Sequence, residues 1–191
     1  MTVDDRAGRA ARWIAPRHDG PPADPLVHAE VAAFLAYEAE ALDSRHFERW
    51  AELVDDAFIY RVPVPMLPDN AFSPAYDPGS LLLDEDKGSI VELWFGRFGE
   101  DTYEVAWGDH PPVRMRHFVT NVRVRTTETD DDLDVRSNVR VHMVRQTMHK
   151  GELVAERFDR LRRTPAGLRL LSRFAILDDL VLDAPQLRVI L

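Results

Sequence analysis

The side chains able to do chemistry in this chain are histidines, arginines and carboxylates, because among its 191 residues there is no cysteine. They gather in Trp107-Gly-Asp-His-Pro-Pro-Val-Arg-Met-Arg-His-Phe-Val-Thr-Asn-Val122, which holds His110, His117, Arg114 and Arg116. A histidine oriented by a carboxylate can act as a general base inside a pocket. His117 is the best-placed histidine for that role, and Asp43, Asp55 and Asp109 are the partners to consider. Spacing along the chain does not say which of them it meets. The competing reading is that His117 makes a structural hydrogen bond or a subunit contact, since such networks use the same residue types.

Other chemistries find less support. His110 and His117 are seven apart across Pro111-Pro112, and His142 and His149 are also seven apart. No histidine pair stands at i, i+4 on a helix with a carboxylate, as a zinc or mononuclear iron motif would. Surface or hydrogen-bonded histidines are therefore the stronger reading. Without cysteine there is no disulfide, no thiolate nucleophile and no cysteine-held iron–sulfur cluster. Gly96-Arg-Phe-Gly99 lacks the spacing of a phosphate-binding loop, and no serine sits in a nucleophile elbow.

The elements that must position these residues can be read from periodicity. Asp24-Pro25 is a helix start, with Asp as cap and Pro in the first turn. Val27, Val31, Phe34, Leu35 and Leu42 recur at helical spacing, which predicts a helix over 25–42 with Glu30, Glu38 and Glu40 mostly facing away from the apolar stripe. A shorter helix is predicted over 46–54, with Phe47, Trp50, Leu53 and Val54 inward. Phe58, Tyr60, Val62 and Val64 alternate as one face of a strand that Pro63 and Pro65 bring to an edge. Residues 66–80, with Pro68, Pro74, Pro78 and Gly79, read as a long loop, and 84–98 as a third helix. From Val113 on, strand-like segments over 114–126, 133–148, 152–163 and 168–182 are separated by turn chemistry, which predicts an antiparallel meander. Leu133, Val135, Val139, Val141 and Met143 share a face that needs a cover, and the N-terminal helices are available. The expected fold is α+β, a curved antiparallel sheet packed on N-terminal helices. Residues 1–24 read as a partly flexible arm on which Trp13-Ile14 could pack against a neighbour, and 25–191 as a single domain.

A net charge of −9 argues against nucleic acid as a partner. No apolar run reaches spanning length and there is no signal-peptide core, so no membrane insertion and a cytoplasmic location are expected. Arg114, Arg116, Arg123 and Arg125 lie on one predicted strand, and Arg157, Arg160, Arg162 and Arg163 on another. Arginine pairs with carboxylates and is enriched at interfaces, so the set points to an oligomer interface, although any single one could be a solvated ion pair. Leu187-Arg-Val-Ile-Leu191 is apolar and needs somewhere to dock, in its own core or in a neighbour.

The same residues carry a family resemblance. The segments Tyr37-Glu-Ala-Glu-Ala-Leu-Asp43, Trp50-Ala-Glu-Leu-Val-Asp-Asp56 with Tyr60 and Pro63, the Pro111-Pro112 stretch through Arg114, Arg116 and His117, Ser137-Asn138-Val139, the charged strand around Arg157 and the tail make the chain similar to the small (beta) subunit of aromatic-ring-hydroxylating dioxygenases. That family more often has Ser where this chain has Val113. The resemblance implies a cystatin-like, or NTF2-like, fold. It also implies assembly of three small with three large (alpha) subunits, with the small ones self-associating as a trimer. The Rieske 2Fe-2S cluster and the mononuclear Fe(II) are then expected in the alpha subunit, electrons from a ferredoxin or reductase, and no catalytic, cofactor-binding or metal-binding residue here. Trp107, Arg114, Arg116, His117 and Leu191 become expected structural and docking contacts. The rival expectation is a stand-alone NTF2-like pocket enzyme, a dehydratase or isomerase using His117 with an Asp; a ligand-binding or regulatory module is a third.

Overall fold

The computed structural model of the protein describes residues 13–99, 113–145, 149–181 and 188–191, with only the backbone of His149 and Lys150. Helix α1 spans Pro25–Asp43. The Asp24 carboxylate accepts from the Leu26 N–H at 2.8 Å, and Pro25 takes the first turn, where no N–H is needed. Arg45, at φ 54°, turns the chain sharply into α2, Phe47–Leu53. Strand β1, Val54–Pro65, follows directly. Its alternation is the expected one: Phe58, Tyr60 and Val62 are fully buried.

The next stretch differs from the sequence reading. Residues Tyr76–Asp86 form a strand, β2, antiparallel to β1 with Leu83 opposite Val62. Only 66–75 remain as the connecting loop. Pro68 and Pro74 lie in that loop, whereas Pro78 and Gly79 fall at the start of an edge strand, where a missing donor costs nothing. Pro63 does disturb the ladder, and the register shifts on both sides of it. The third helix accordingly starts later and is less regular. It comprises one α-helical turn, α3, Lys87–Ser89, a π-helical segment Ile90–Phe95 and a 3-10 turn Gly96–Phe98. Asp86 and Ser89 cap it reciprocally. Ile90 and Trp94 are buried as expected, whereas Leu93 faces solvent.

The remaining strands are β3 Arg114–Thr126, β4 Asp132–Arg145, β5 His149–Thr164 and β6 Gly167–Leu177. They form the expected antiparallel meander. The whole sheet runs in the order β2-β1-β6-β5-β4-β3, and β1 pairs with β6 in parallel. The helices cover one face. Leu133, Val135, Val139, Val141 and Met143 are buried there together, with Ser137 among them. Phe47 stacks on Phe95 at 4.0 Å, and Trp50 meets Phe95 and Phe58 edge-on. Trp50 and Phe58, fully buried, each contribute on the order of 1.5–3 kcal/mol through apolar area alone.

Residues 13–24 cross the other face of the sheet. The Trp13 N–H donates to the Pro78 carbonyl at 2.6 Å beside β2, and the guanidinium of Arg61 lies 4.3 Å over the Trp13 ring. At the far end Ala23 donates to Val124 and Thr126 donates to Pro21, so the segment pairs with the β3 edge. Gly20 is needed there, because a Cβ would lie 2.1 Å from the Thr126 carbonyl oxygen. The β3 edge is protected further by His28, Arg45 and Asp43, which bond Val122 O, Val113 O and His117 N.

Candidate functional site

The C-terminal end of α1 and the start of β3 converge on one buried polar centre. Asp43 is the last residue of α1, and its side chain is 4% exposed; that of His117 is 2% exposed. Their contact is short, Nδ1 to Oδ1 at 2.7 Å, and the His117 backbone N–H also donates to the same oxygen at 3.1 Å. Of the three aspartates considered from sequence, Asp43 is thus the partner. Asp55 accepts instead from the Ala57 N–H, and Asp109 lies outside the described residues.

The other ring nitrogen decides what the pair can do. His117 Nε2 lies 2.9 Å from the carbonyl oxygen of Ile190. A carbonyl has no proton to give, so Nε2 must donate. A nitrogen that already donates to the protein cannot take a proton from a substrate. The geometry therefore combines a histidine and an aspartate in the manner of an acid–base pair and then spends the working nitrogen on the chain's own tail.

The tail is held on a second, larger centre. Tyr60 Oη donates to Val189 O at 3.2 Å and accepts from Leu191 N at 3.1 Å. Arg173 donates to Leu191 O at 2.8 Å, to both oxygens of Glu38 at 2.9 and 2.8 Å, and to both of Asp159 at 2.8 and 3.0 Å. All five guanidinium N–H donors are used. Trp50 Nε1 adds a hydrogen bond to Glu38 at 3.3 Å. Arg157 completes the group, bonded through Nε to Ser137 and 3.8 Å from Glu38. Burial alone would raise the Glu38 carboxyl, but Arg173 and Arg157 outweigh it and hold it below the usual range. Burial likewise works against the charge of Arg173, yet Asp159 and Glu38 hold its guanidinium more firmly protonated than a free one. Burial, and then the like charge of Arg173, lowers Arg157. Burial pushes the Tyr60 hydroxyl up, so it stays neutral and donates.

Sequence reasoning missed this ionic group. Glu38 was placed on the outer side of α1, but it is buried on the same stripe as Val31, Leu35 and Leu42. Its spacing to those residues was the available signal. On β5, residues Leu153, Ala155, Arg157, Asp159 and Leu161 share the buried face, so alternation pointed Arg157 and Asp159 inward. The set of arginines taken together from sequence therefore splits. Arg157 is interior. Arg160 and Arg162 lie on the opposite face and pair with Asp134 at 2.6 Å and Asp132 at 3.1 Å, while Arg163 clasps Glu30. Arg136 pairs with Glu156, and Arg140 with Glu152.

Of the expected docking residues, Arg114 and Arg116 are at the surface, with Arg116 63% exposed and 3.2 Å from Asp43 Oδ2. His117 and Leu191 face inward and are used within the chain, which leaves neither side chain available to a partner. Trp107, His110 and Pro111-Pro112 lie outside the described residues. A cleft of ≈ 70 Å³ remains beside the tail, lined by Phe47, Trp94, Phe95, Met115, Met143 and Ile190. Among the described residues no group of three or more His, Asp or Glu side chains could hold a metal ion, and no helix is long and apolar enough to cross a membrane.

Comparison with known proteins agrees with this arrangement. Residues 37–184 match the model of a family described as ring hydroxylating beta subunit. The chain is 30% identical to the N,N-dimethyl phenylurea N-demethylase subunit beta of a Sphingobium species, over 83% of this chain and 88% of that one. It is 28% identical to the benzene 1,2-dioxygenase subunit beta of Pseudomonas putida, over 96% and 97%. Among solved structures, a naphthalene 1,2-dioxygenase with indole bound superposes with a TM-score of 0.75 at 24% identity, over 88% of each chain. An NTF2-like protein with a cystatin-like fold from Novosphingobium aromaticivorans superposes at 0.51 and 22% identity, over 79% and 81%. These two likenesses bear out the expected cystatin-like α+β fold.

Proposed function

The chain belongs to the family of ring-hydroxylating beta subunits, and we propose on that premise that it is the non-catalytic, structural subunit of a Rieske non-haem iron dioxygenase. Its complex would add both atoms of O₂ to an aromatic ring to give a cis-dihydrodiol. The partner is an alpha subunit carrying the Rieske cluster and the mononuclear iron, in an assembly of three small and three large subunits built on a trimer of small ones. A ferredoxin or reductase would supply the electrons, and the complex would work in the cytoplasm. Within the chain, residues 1–24 would form the arm and 25–191 the single domain.

The observation that carries this reading is the state of the Asp43–His117 pair. Its Nε2 donates to Ile190 and is not free to act as a base. That favours a structural role over the rival, a stand-alone dehydratase or isomerase. The residues also do not fit the family's iron groups. A Rieske centre needs two cysteines, and the chain has none. We therefore derive no catalytic step in this chain. What its residues supply is a rigid body: the five-fold bonded Arg173 joins α1, β5, β6 and the tail into one unit. On that body Arg114 and Arg116 stand at the surface and are the docking contacts we propose. The substrate would follow the alpha subunit. Relatives are named for benzene dioxygenation and for phenylurea N-demethylation, so one small-subunit fold serves different chemistries.

Co-expression with a large subunit tests the proposal. The purified small chain alone should be colourless, iron-free and inactive, and should associate as a trimer. With the large subunit it should form a larger complex that converts aromatic substrates to cis-dihydrodiols. Tight iron binding by the small chain alone, or monomeric behaviour both alone and with the large subunit, would contradict it.

A further inference from the structure

Val189–Leu191 is held in the manner of a bound peptide. Four hydrogen bonds fix its backbone, and each runs to a buried side chain: Tyr60 to Val189 O and Leu191 N, His117 to Ile190 O, and Arg173 to Leu191 O. Two of these three side chains, Arg173 and His117, do not depend on the tail for their orientation. Arg173 is fixed by four further bonds to Glu38 and Asp159, and His117 by Asp43. Donors so supported are pre-organised for a ligand.

Two further features point the same way. Arg157, in the same ionic group and fully buried, keeps an Nη2 with no hydrogen-bond partner. The group thus holds a donor nitrogen that the chain does not use, which suits a second oxygen. Beside Ile190 the apolar wall continues as the ≈ 70 Å³ cleft along Trp94, Phe95, Met115 and Met143. The charges of Glu38 and Asp159 balance those of Arg157 and Arg173, so an incoming carboxylate meets no net repulsion at close range.

We propose that Tyr60, His117 and Arg173 form a binding site for a short apolar carboxylate, and that Val189–Leu191 is its resident occupant. The site reads a carbonyl through His117, a carbonyl and an amide through Tyr60, and a backbone oxygen through Arg173, whose guanidinium suits a ligand carboxylate, with branched or aromatic bodies fitting the wall.

N-acetyl-Ile-Leu carries every one of these groups and is the probe. A chain lacking Arg188–Leu191 should bind it one to one by calorimetry. Replacing the probe's carboxylate by an amide, or His117→Ala in the shortened chain, should weaken binding about tenfold or more, the worth of one hydrogen bond involving a charged group. If the shortened chain does not fold by itself, the probe should drive folding in a concentration-dependent way, read by circular dichroism. Absence of both binding and induced folding at about 10 mM, already beyond the millimolar affinity range, would overturn the proposal. So would equal affinity for the acid and the amide.

Discussion

Replacing Arg173 by Met is the most searching perturbation of this fold. The methionine fills similar volume but removes all five donors. Glu38 and Asp159, both buried, lose their 2.8–3.0 Å partners and are left with Arg157, whose nearest approaches are 3.8 and 3.9 Å. One buried negative charge is then uncompensated, and the Leu191 carbonyl loses its donor. Breaking a buried pair from one side costs about 3–5 kcal/mol. Against a typical stability of about 5–15 kcal/mol, this is a large share. Adding Glu38→Leu removes the unmatched charge and leaves Arg157 with Asp159. The double variant should therefore be more stable than the sum of the two single losses implies, with a coupling of about 2–3 kcal/mol. Urea unfolding followed by tryptophan fluorescence at pH 7 and fixed protomer concentration measures all four corners of the cycle. Additive losses, or a single Arg173→Met variant within about 0.5 kcal/mol of wild type, would refute the view that this group acts as one unit.

His117→Leu should cost about 2–3 kcal/mol by leaving the Ile190 carbonyl without its donor and taking the ring donor from Asp43, which keeps only the backbone N–H of residue 117 and Arg116, and amide hydrogen exchange at Leu191 should accelerate as the tail loosens. Glu38 is held below its ordinary 4.5, so its stabilisation is complete above that pH and is lost as pH falls through the lower folded value; urea midpoints should drop below about pH 4.5, and much less so in Glu38→Gln, relative to its own neutral-pH midpoint. His18 is held below 6.5 by burial and then by Arg125, with Arg123 and Arg136 adding to this and Asp134 opposing. Its contribution is complete above 6.5 and fades as pH falls through the lower folded value, so the protection of the Ala23 and Thr126 amides, measured against their intrinsic exchange rates, should fall on acidification in wild type but not in His18→Phe. Arg114→Glu should weaken association with the large subunit about tenfold or more while leaving the urea midpoint of the small chain nearly unchanged, because that side chain is exposed; unaltered association by sedimentation would count against the docking surface.

The fold was legible where periodicity and caps agreed. Asp24-Pro25 marked the start of α1, and the alternation of 133–143 marked the buried face of β4. It was obscured at β2, because Pro78 and Gly79 punctuate the chain just where an edge strand tolerates them, and periodicity cannot separate Leu81-Leu82-Leu83 from a loop or a helix. The parallel pairing of β1 with β6 is a long-range contact with no local signature. At the site, His117 and the three aspartates were visible, but the choice of Asp43 depends on a tertiary contact between residues 74 positions apart. The ionic group was hidden for a different reason. Charged residues are expected outside, so Glu38 and Arg157 were read by type rather than by the face on which their spacing puts them.

The parallel pair also bears on how the protein is made. β6 lies between β1 and β5, so β1 cannot join the meander until the last of the described strands has emerged from the ribosome. Contacts of such high sequence separation slow folding, and they expose the nascent β1–β2 hairpin and the apolar side of α1 while synthesis continues. The same delay applies to charge: Glu38 waits for Arg157, Asp159 and Arg173. During translation it can remain solvated and keep the waiting helix soluble, and it enters the interior only when its partners arrive.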